Sequence, residues 1–506
     1  MQLEQILYEK FGFSTFREGQ REIISDIVLG KNVVAMLPTG AGKSLCYLLP
    51  GYLKEGTVII VSPLLSLMED QVQQLQIMGE KRVVAINSFL SFEEKRSTFD
   101  TLHQYKFIFV SPEMLQSTHL INKLRKINIS LFVVDEAHCI SQWGHEFRTD
   151  YLKLSGIIKQ FKNPPCLALT ATATEKVIKD IVASLHVEEV KYHLYSIDRP
   201  NISINVEKTA TINDKKNQLL QWVQRLEGPG MIYFSSRKWA ESICSFLKSE
   251  GIGSVAYYHG GMESEQRMLI QQQFLANQLQ IICCTNAFGM GVNKPNVRYV
   301  IHFHLPSQME SYIQEIGRAG RDGKNSLGIL LYSPTDQELP EALIQQEFPS
   351  KDELEHLLTL LKDGFQEDQL INEEWLLSHS TINDTMWRFI KYQLEIRGMI
   401  QQDRLLTNLN VAETQKEISF FIQERLAYKH GKLDEMKRWI HSPTCRRSAY
   451  LTIFNEQLVH PVKQCCDICL VDYSLFEKTN ETLQDNVLTN WEQELHAIFL
   501  KESGKP

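Results

Sequence analysis

The sequence predicts an α/β protein: two tandem parallel-sheet domains, then a mainly helical region and a small cysteine-rich module. Three observations predict it. Continuous strand-like runs rich in Val, Ile and Phe recur between helical stretches through the first two thirds of the chain, the pattern of parallel sheets buried on both faces. The alternation loosens once, between Tyr192 and Asn205, where Asp198-Arg199-Pro200-Asn201 reads as a turn, and then restarts. Beyond residue 340 the strand-like runs stop, and four of the ten cysteines gather late in the chain.

A chain of 506 residues has room for several domains, each with its own core. Its 43% hydrophobic and 23% charged residues are those of an ordinary soluble protein, and no apolar run approaches the roughly 18 residues of a membrane span. The opening residues lack a basic segment followed by an apolar one, so no secretion signal is expected and a cytoplasmic location is. The net charge of -8 excludes a globally basic nucleic-acid binder; binding of that kind must come from local patches.

In the first domain, Phe16-Arg17-Glu18-Gly19-Gln20 opens a helix expected to reach Leu29. Gln20 is either a surface residue or, just ahead of a phosphate loop, a reader of the adenine edge. Residues 32–36 read as a buried strand and Leu45-Cys46-Tyr47-Leu48-Leu49 as the start of a helix. Between them lies Leu37-Pro38-Thr39-Gly40-Ala41-Gly42-Lys43-Ser44. Backbone N–H groups of such a turn cradle phosphates, Lys43 reaches the terminal phosphates and the Ser44 hydroxyl reaches Mg²⁺. The usual pattern starts with a glycine five positions before Gly42, where this chain has Leu37.

Further strands are expected at 57–61, 83–86, 107–111, 131–135 and 166–170. Ligands of such sheets bind beyond the carboxyl ends of the strands, where Asp135-Glu136-Ala137-His138 falls. Asp135 is the expected holder of Mg²⁺, through water, and Glu136 the residue that orients or activates the attacking water. Trp143, His145, Phe147 and Arg148 come directly after. They form either a stacking platform for single-stranded bases, worth roughly 1–3 kcal/mol per base, or ordinary core packing. The second domain repeats the alternation at 231–234, 254–259, 281–285, 297–302 and 327–332 without a phosphate loop. It closes on Gln314-Glu315-Ile316-Gly317-Arg318-Ala319-Gly320-Arg321, whose arginines either face a phosphate held by the other domain or cap a helix.

Together these motifs resemble a superfamily 2 helicase, specifically a short form of the RecQ family of ATP-dependent DNA helicases. The resemblance rests on FRxGQ at 16–20, LPTGAGKSLCY at 37–47, VSPLLSLMEDQV at 61–72, VSPEML at 110–115, DEAHC at 135–139 and ISQWGHEFR at 140–148. It continues through ALTATAT at 168–174, SSRK at 235–238, YHGGM at 258–262, TNAFGMGVNKPNVRYVIH at 285–302 and QEIGRAGRDG at 314–323. The family implies two RecA-like domains, 1–200 and 201–340. It implies a nucleotide site of Phe16, Arg17, Gln20, Thr39, Gly40, Ala41, Gly42, Lys43, Ser44 and Asp135, with Lys43, Glu136, Arg318 and Arg321 catalytic and Arg321 the finger. Ser62, Ser236 and Thr285 would join Trp143, His145, Phe147 and Arg148 in contacting nucleic acid. The implied activity is 3′-to-5′ unwinding in DNA repair, recombination or fork maintenance, by a monomer using ATP, Mg²⁺ and Zn²⁺ on single-stranded and branched or tailed duplex DNA. Single-stranded-DNA-binding and recombination proteins are the implied partners, and an RNA helicase or an ATP-driven clamp is the rival reading.

The last third departs from the family's usual order. Residues 341–424 are expected to hold two helical stretches and a polar hairpin at 401–405, either a winged helix or a plain helical insert. In its second helix Ile382, Met386, Phe389, Ile390 and Leu394 share one face, with Arg388 and Lys391 opposite. From Arg425 to Arg447, seven basic and two acidic residues predict a local positive patch. Cys445, Cys465, Cys466 and Cys469, within a module at 425–475, suit tetrahedral Zn²⁺ in a structural role. The family usually has a cysteine where Lys463 stands, and Cys465 takes that place. A tail helix is expected at 481–501, within 476–506.

Overall fold

The computed structural model describes residues 3–63, 65–87, 90–141, 148–289, 294–406 and 409–478. Its first sheet has seven strands: β1 (Asn32–Met36), β2 (Thr57–Val61), β3 (Val83–Ile86), β4 (Phe107–Val110), β5 (Ile129–Val134), β6 (Cys166–Thr170) and β7 (Val190–Leu194). All pair in parallel, in the order β3-β4-β2-β5-β6-β1-β7. The second sheet holds β8 (Ile202–Lys208), β9 (Gly230–Tyr233), β10 (Val255–Tyr258), β11 (Ile281–Cys284), β12 (Tyr299–His302) and β13 (Ser326–Tyr332). It is also parallel, in the order β10-β11-β9-β12-β13-β8. Numbered from their own first strands, β1 and β8, the two sheets share the order 3-4-2-5-6-1, and β7 extends only the first. Central strands such as β2 and β4 are buried throughout, as expected of β-branched and aromatic runs covered by helices on both faces.

Two expectations about the first domain change. The helix begins at Gln20 rather than Phe16 (Gln20–Val28), because Gly19 adopts φ 80° and breaks the turn before it. Strands β7 and β8 occupy both ends of the stretch expected as linker, leaving residues 195–201 to join the domains.

The insert has the element order of a winged helix: helix Lys351–Gly364, an isolated bridge at Leu370, helices Glu373–Ser378 and Asp384–Ile396, then the hairpin β14 (Ile400–Gln401) and β15 (Arg404–Leu405). Gln402 and Asp403 both have positive φ, the geometry of a tight two-residue hairpin turn. The predicted apolar face of Asp384–Ile396 is buried in the insert's own core. Its two bases are not free for phosphate. Arg388 pairs with Asp384 at 3.0 Å, and Lys391 pairs with Glu373 at 2.5 Å and Asp403 at 2.6 Å. The same helix docks on the first domain, where Glu395 meets Lys153 at 2.8 Å.

One helix, Val411–His441, runs through the expected boundary at 424. The positive patch expected there is largely neutralised. Lys429 pairs with Glu347, Lys432 with Glu310 at 2.6 Å and Lys437 with Glu341 at 2.8 Å, so these bases fasten the helix to the second domain and its extension. Arg425 and Arg447 are buried. No helix among the described residues is long and apolar enough to cross a membrane. The expected tail helix lies outside the described residues.

Candidate active site between the two sheets

Strand β1 delivers Leu37–Ser44 to the carboxyl edge of the first sheet, and the helix Leu45–Leu53 leaves from it. Leu37 is fully buried and its N–H donates to the Thr170 carbonyl at 3.1 Å, so at the usual glycine position this chain extends the strand instead. Gly40 and Gly42 have φ 87° and 79°, which L side chains rarely adopt. A Cβ on Gly42 would also lie 2.7 Å from Gln20 Nε2. That amide is fully engaged: Nε2 donates to the carbonyls of Ala41 (2.8 Å) and Gly42 (3.1 Å), while Oε1 accepts from Arg17 N–H at 2.9 Å. Gln20 therefore braces the glycine loop, and Arg17 reaches the Gly40 carbonyl.

The loop opens into a cavity of about 770 Å³ lined from both domains, by Thr39, Gly40, Gly42, Lys43, Ser44, Asp135 and Glu136 on one side and Gln314, Arg318 and Arg321 on the other. Lys43 Nζ lies 3.0 Å from Glu136 Oε1. Glu136 has φ 46°, a left-handed conformation for a non-glycine residue next to reactive groups. Its Oε2 is 3.5 Å from His138 Nδ1, and that nitrogen is 3.0 Å from Thr170 Oγ1 at the end of β6. Burial pushes the Asp135 carboxyl up to about 6, with Lys43 pulling the other way. A dication beside Asp135 would relieve that desolvation, so the carboxyl fits a magnesium ligand.

The arginines come just after the helix Met309–Ile316. A Cβ on Gly317 would meet Thr39 Cβ at 2.9 Å, and one on Gly40 would meet Arg321 Cγ at 3.0 Å, so the arginine turn lies directly on the phosphate loop. Burial and the neighbouring Arg318, Arg199 and Arg17 lower the Arg321 guanidinium to about 9. Arg17, Arg318 and Arg321 thus line a cavity that also holds Lys43 and the glycine loop, a setting that favours a polyanion.

Phe16 does not line this cavity. It packs against Ile6, Leu7, Ile24, Leu45 and Leu49 in a small core. Phe11 and Phe13 line the cavity instead, and Phe13 is 55% exposed. Ser62 is buried at the end of β2 and does not face solvent. Ser236 caps the helix Arg237–Ser249, accepting from Trp239 N–H at 3.4 Å. Thr285 lines a second cavity of about 330 Å³ with Ser235, Asn286 and Gln308. Arg148 lies 3.8 Å from Glu113, while Trp143, His145 and Phe147 fall outside the described residues.

Cys445, Cys465, Cys466 and Cys469 place their sulfur atoms within 4.8 Å of one another. Cys445 Sγ is 3.5 Å from Cys465 Sγ and 3.9 Å from Cys466 Sγ, near the roughly 3.8 Å separation implied by tetrahedral Zn–S bonds of about 2.3 Å. The Cys466 thiol is lowered to about 4, first by the Cys465 thiol and then by the Arg446 and Cys469 N–H groups. Burial, with the neighbouring thiols, raises Cys469 to about 12. Four cysteine sulfurs at this spacing are a donor set that a zinc ion fits.

Residues 17–181 match the DEAD/DEAH box helicase family, 214–323 the helicase conserved C-terminal domain and 395–470 the RecQ zinc-binding family. The chain is 46% identical over 499 residues to the probable ATP-dependent DNA helicase RecS of Bacillus subtilis, covering 98% of each. It is 38% identical to the ATP-dependent DNA helicase RecQ of Pasteurella multocida, covering 74% of this chain and 59% of that protein. In fold it is similar to the Mycobacterium smegmatis helicase Lhr bound to ssDNA and AMP-PNP (TM-score 0.56, 20% identity, covering 77% of this chain and 56% of that one). It is likewise similar to the DEAD-box helicase Mss116 bound to ssRNA and UDP-BeF (TM-score 0.57, 19% identity, covering 86% and 90%).

Proposed function

Because this chain belongs to the RecQ family of ATP-dependent DNA helicases, we propose that it translocates 3′ to 5′ on single-stranded DNA and unwinds tailed or branched duplexes during repair, recombination or fork maintenance. The observation that carries this reading is the shared cavity, with Lys43 and Glu136 from one sheet and Arg318 and Arg321 from the other. Adenine would lie toward Phe11, Phe13 and Arg17, and the phosphates on the N–H groups from Gly40 to Ser44. Phosphate arriving at Lys43 would replace its contact with Glu136 and leave that carboxylate to orient water. Ser44 and Asp135 would hold Mg²⁺, which supplies charge neutralisation on the phosphate oxygens when bound. Arg321, carried by the other domain, would stabilise the transferring phosphoryl group, with Arg318 beside it. Hydrolysis would then loosen the grip between the domains, and opening and closing would step the chain along one strand.

The four cysteines would hold Zn²⁺ in a closed shell that adds folding energy. Arg148 lies 3.8 Å from Glu113, five residues before the Lys153 that meets the insert's Glu395. Trp143, His145 and Phe147 would signal bound single strands from the stretch after Asp135-Glu136-Ala137-His138, with Ser236 and Thr285 contacting the strand from the second domain. The protein would act as a cytoplasmic monomer alongside single-stranded-DNA-binding and recombination proteins. The test is ATP-dependent unwinding of a duplex with a 3′ tail beside the same duplex with a 5′ tail. Unwinding of the 3′-tailed duplex alone is expected. Unwinding of neither, or of the 5′-tailed duplex alone, contradicts the proposal.

A further inference from the structure

The seven residues joining the domains are gripped from one side by the cysteine-rich module. Arg447, fully buried on the helix Arg446–Ile453, donates to the Asp198 carboxylate, to the Arg199 carbonyl at 3.0 Å and to the Ile202 carbonyl. Tyr450 Oη donates to Asp198 Oδ1 at 2.5 Å. Glu456 accepts from Ser196 Oγ at 2.5 Å and from Ile197 N–H at 3.1 Å. The cysteine loop also joins the edge of the second sheet, where Ile204 N–H donates to the Cys465 carbonyl at 3.2 Å.

The Arg199 side chain leaves this gripped segment toward the nucleotide cavity. Nη1 donates to the carbonyls of Thr39 (2.6 Å) and Gly317 (2.9 Å), and Nη2 to those of Ala319 (3.1 Å) and Gly320 (2.7 Å). The choice of acceptors matters. The Gly317 carbonyl shares a peptide plane with the N–H of Arg318, the Gly320 carbonyl with that of Arg321, and the Thr39 carbonyl with that of Gly40. One planar guanidinium therefore fixes the peptide groups from which both cavity arginines leave, relative to the loop that would hold the phosphates. A lysine, a point donor on a flexible stem, cannot span both sets.

We propose that Arg199 is a positioning residue for ATP hydrolysis, locking the Arg318–Arg321 turn onto the phosphate loop, and that Arg447 of the cysteine module sets its orientation through Asp198. The proposal rests on the hydrolysis reading above. Misplacing a finger by about 1 Å costs on the order of 10²-fold in rate, while phosphate binding by the loop itself is untouched.

The test uses the full chain with single-stranded DNA present. Arg199→Ala is expected to lower kcat for ATP about 10–100-fold and to leave affinity for a fluorescent ATP analogue nearly unchanged. Millimolar guanidinium ion should restore part of that turnover, and none to Lys43→Ala. Where Arg199→Ala does not fold, Arg199→Lys serves, with the same split between kcat and affinity. Asp198→Asn should lower kcat by roughly threefold to tenfold, the scale of one ordinary hydrogen bond, with zinc content by elemental analysis unchanged. A turnover for both Arg199 variants equal to that of the unsubstituted chain overturns the positioning role. A normal kcat for Asp198→Asn overturns the link to the cysteine module. An unsubstituted chain that hydrolyses no ATP would defeat the preceding reading as well.

Discussion

The two sheets share one strand order, yet only the first has a phosphate loop, and the difference lies in the segments that leave the equivalent strands β1 and β8. After β1, eight residues with two positive-φ glycines precede the helix, and Thr39, Gly40, Gly42, Lys43 and Ser44 among them line an open cavity. After β8 come only Thr209, Ala210 and Thr211. Thr209 N–H is tied to the Tyr332 carbonyl at 2.8 Å. The next helix, Ile212–Arg225, carries its own anion: Asp214 accepts from Thr211 N–H at 3.0 Å and Thr211 Oγ1 at 2.8 Å, while Thr211 accepts from Asp214 N–H at 3.2 Å. That capping box occupies the donors that a phosphate would need. The lysines differ in the same sense. Lys43 faces the cavity, whereas Lys215 is fully buried against Asp336. One scaffold thus gives an end that opens on a cavity where the loop before the helix is long and glycine-bearing, and a closed end where a capping box follows the strand directly. The second domain reaches the cavity from a different edge, with Arg318 and Arg321 on the turn after Met309–Ile316.

Substituting the two lysines is the most forceful way to break this comparison. Lys43→Met should cut ATP turnover by at least about 10²–10³-fold with little change in melting. Lys215→Met, by leaving Asp336 buried without its cation, should cost about 3–5 kcal/mol of stability, read by urea denaturation. Gly42→Ala comes next. Its strained φ and the clash with Gln20 should weaken nucleotide binding by about 10–100-fold, equivalent to the 1–3 kcal/mol of such strain, measured by titration of a fluorescent analogue. Thr211→Ala at the closed end should cost about 1 kcal/mol and leave turnover per folded molecule as it was.

The smallest effect concerns the cleft itself, where Gln271 Nε2 donates to Asp70 Oδ2 across the domains at 2.6 Å. Burial raises the Asp70 carboxyl from 3.8 to about 6. The native chain therefore keeps a proton there that the unfolded chain releases, and stability is lost as pH rises through that window. Asp70→Asn should raise the melting temperature by about 1–3 °C above pH 6 and leave it unchanged near pH 4.

How much of the molecule was legible in the sequence depends on the range of the physics involved. Continuous apolar strands such as β2 and β4, the glycine turn and the acidic pair at Asp135 and Glu136 are local patterns, and each stands where its pattern indicated. Strand β7 was hidden because it lies at a sheet edge with Tyr192 and Leu194 exposed, so no apolar run marks it. Phe16 went into a small core with Ile6 and Leu7 while Phe13 lines the cavity, a difference set by packing between distant helices rather than by the local motif. The basic stretch from Arg425 to Arg447 looked like a nucleic-acid patch since its partners, Glu310, Glu341 and Glu347, lie about a hundred residues earlier in the chain. Arg199 showed in the sequence only as part of a turn, because its acceptors are backbone carbonyls of two distant loops.

The central claim is that the first domain binds ATP and the second supplies the group that completes hydrolysis. Arg321→Ala tests it most directly, with analogue affinity and single-turnover hydrolysis measured on the same preparation in saturating single-stranded DNA. The account predicts near-normal affinity and a hydrolysis rate about 10³–10⁵-fold lower. A hydrolysis rate equal to that of the unsubstituted chain, or an affinity that falls as steeply as the rate, would contradict it.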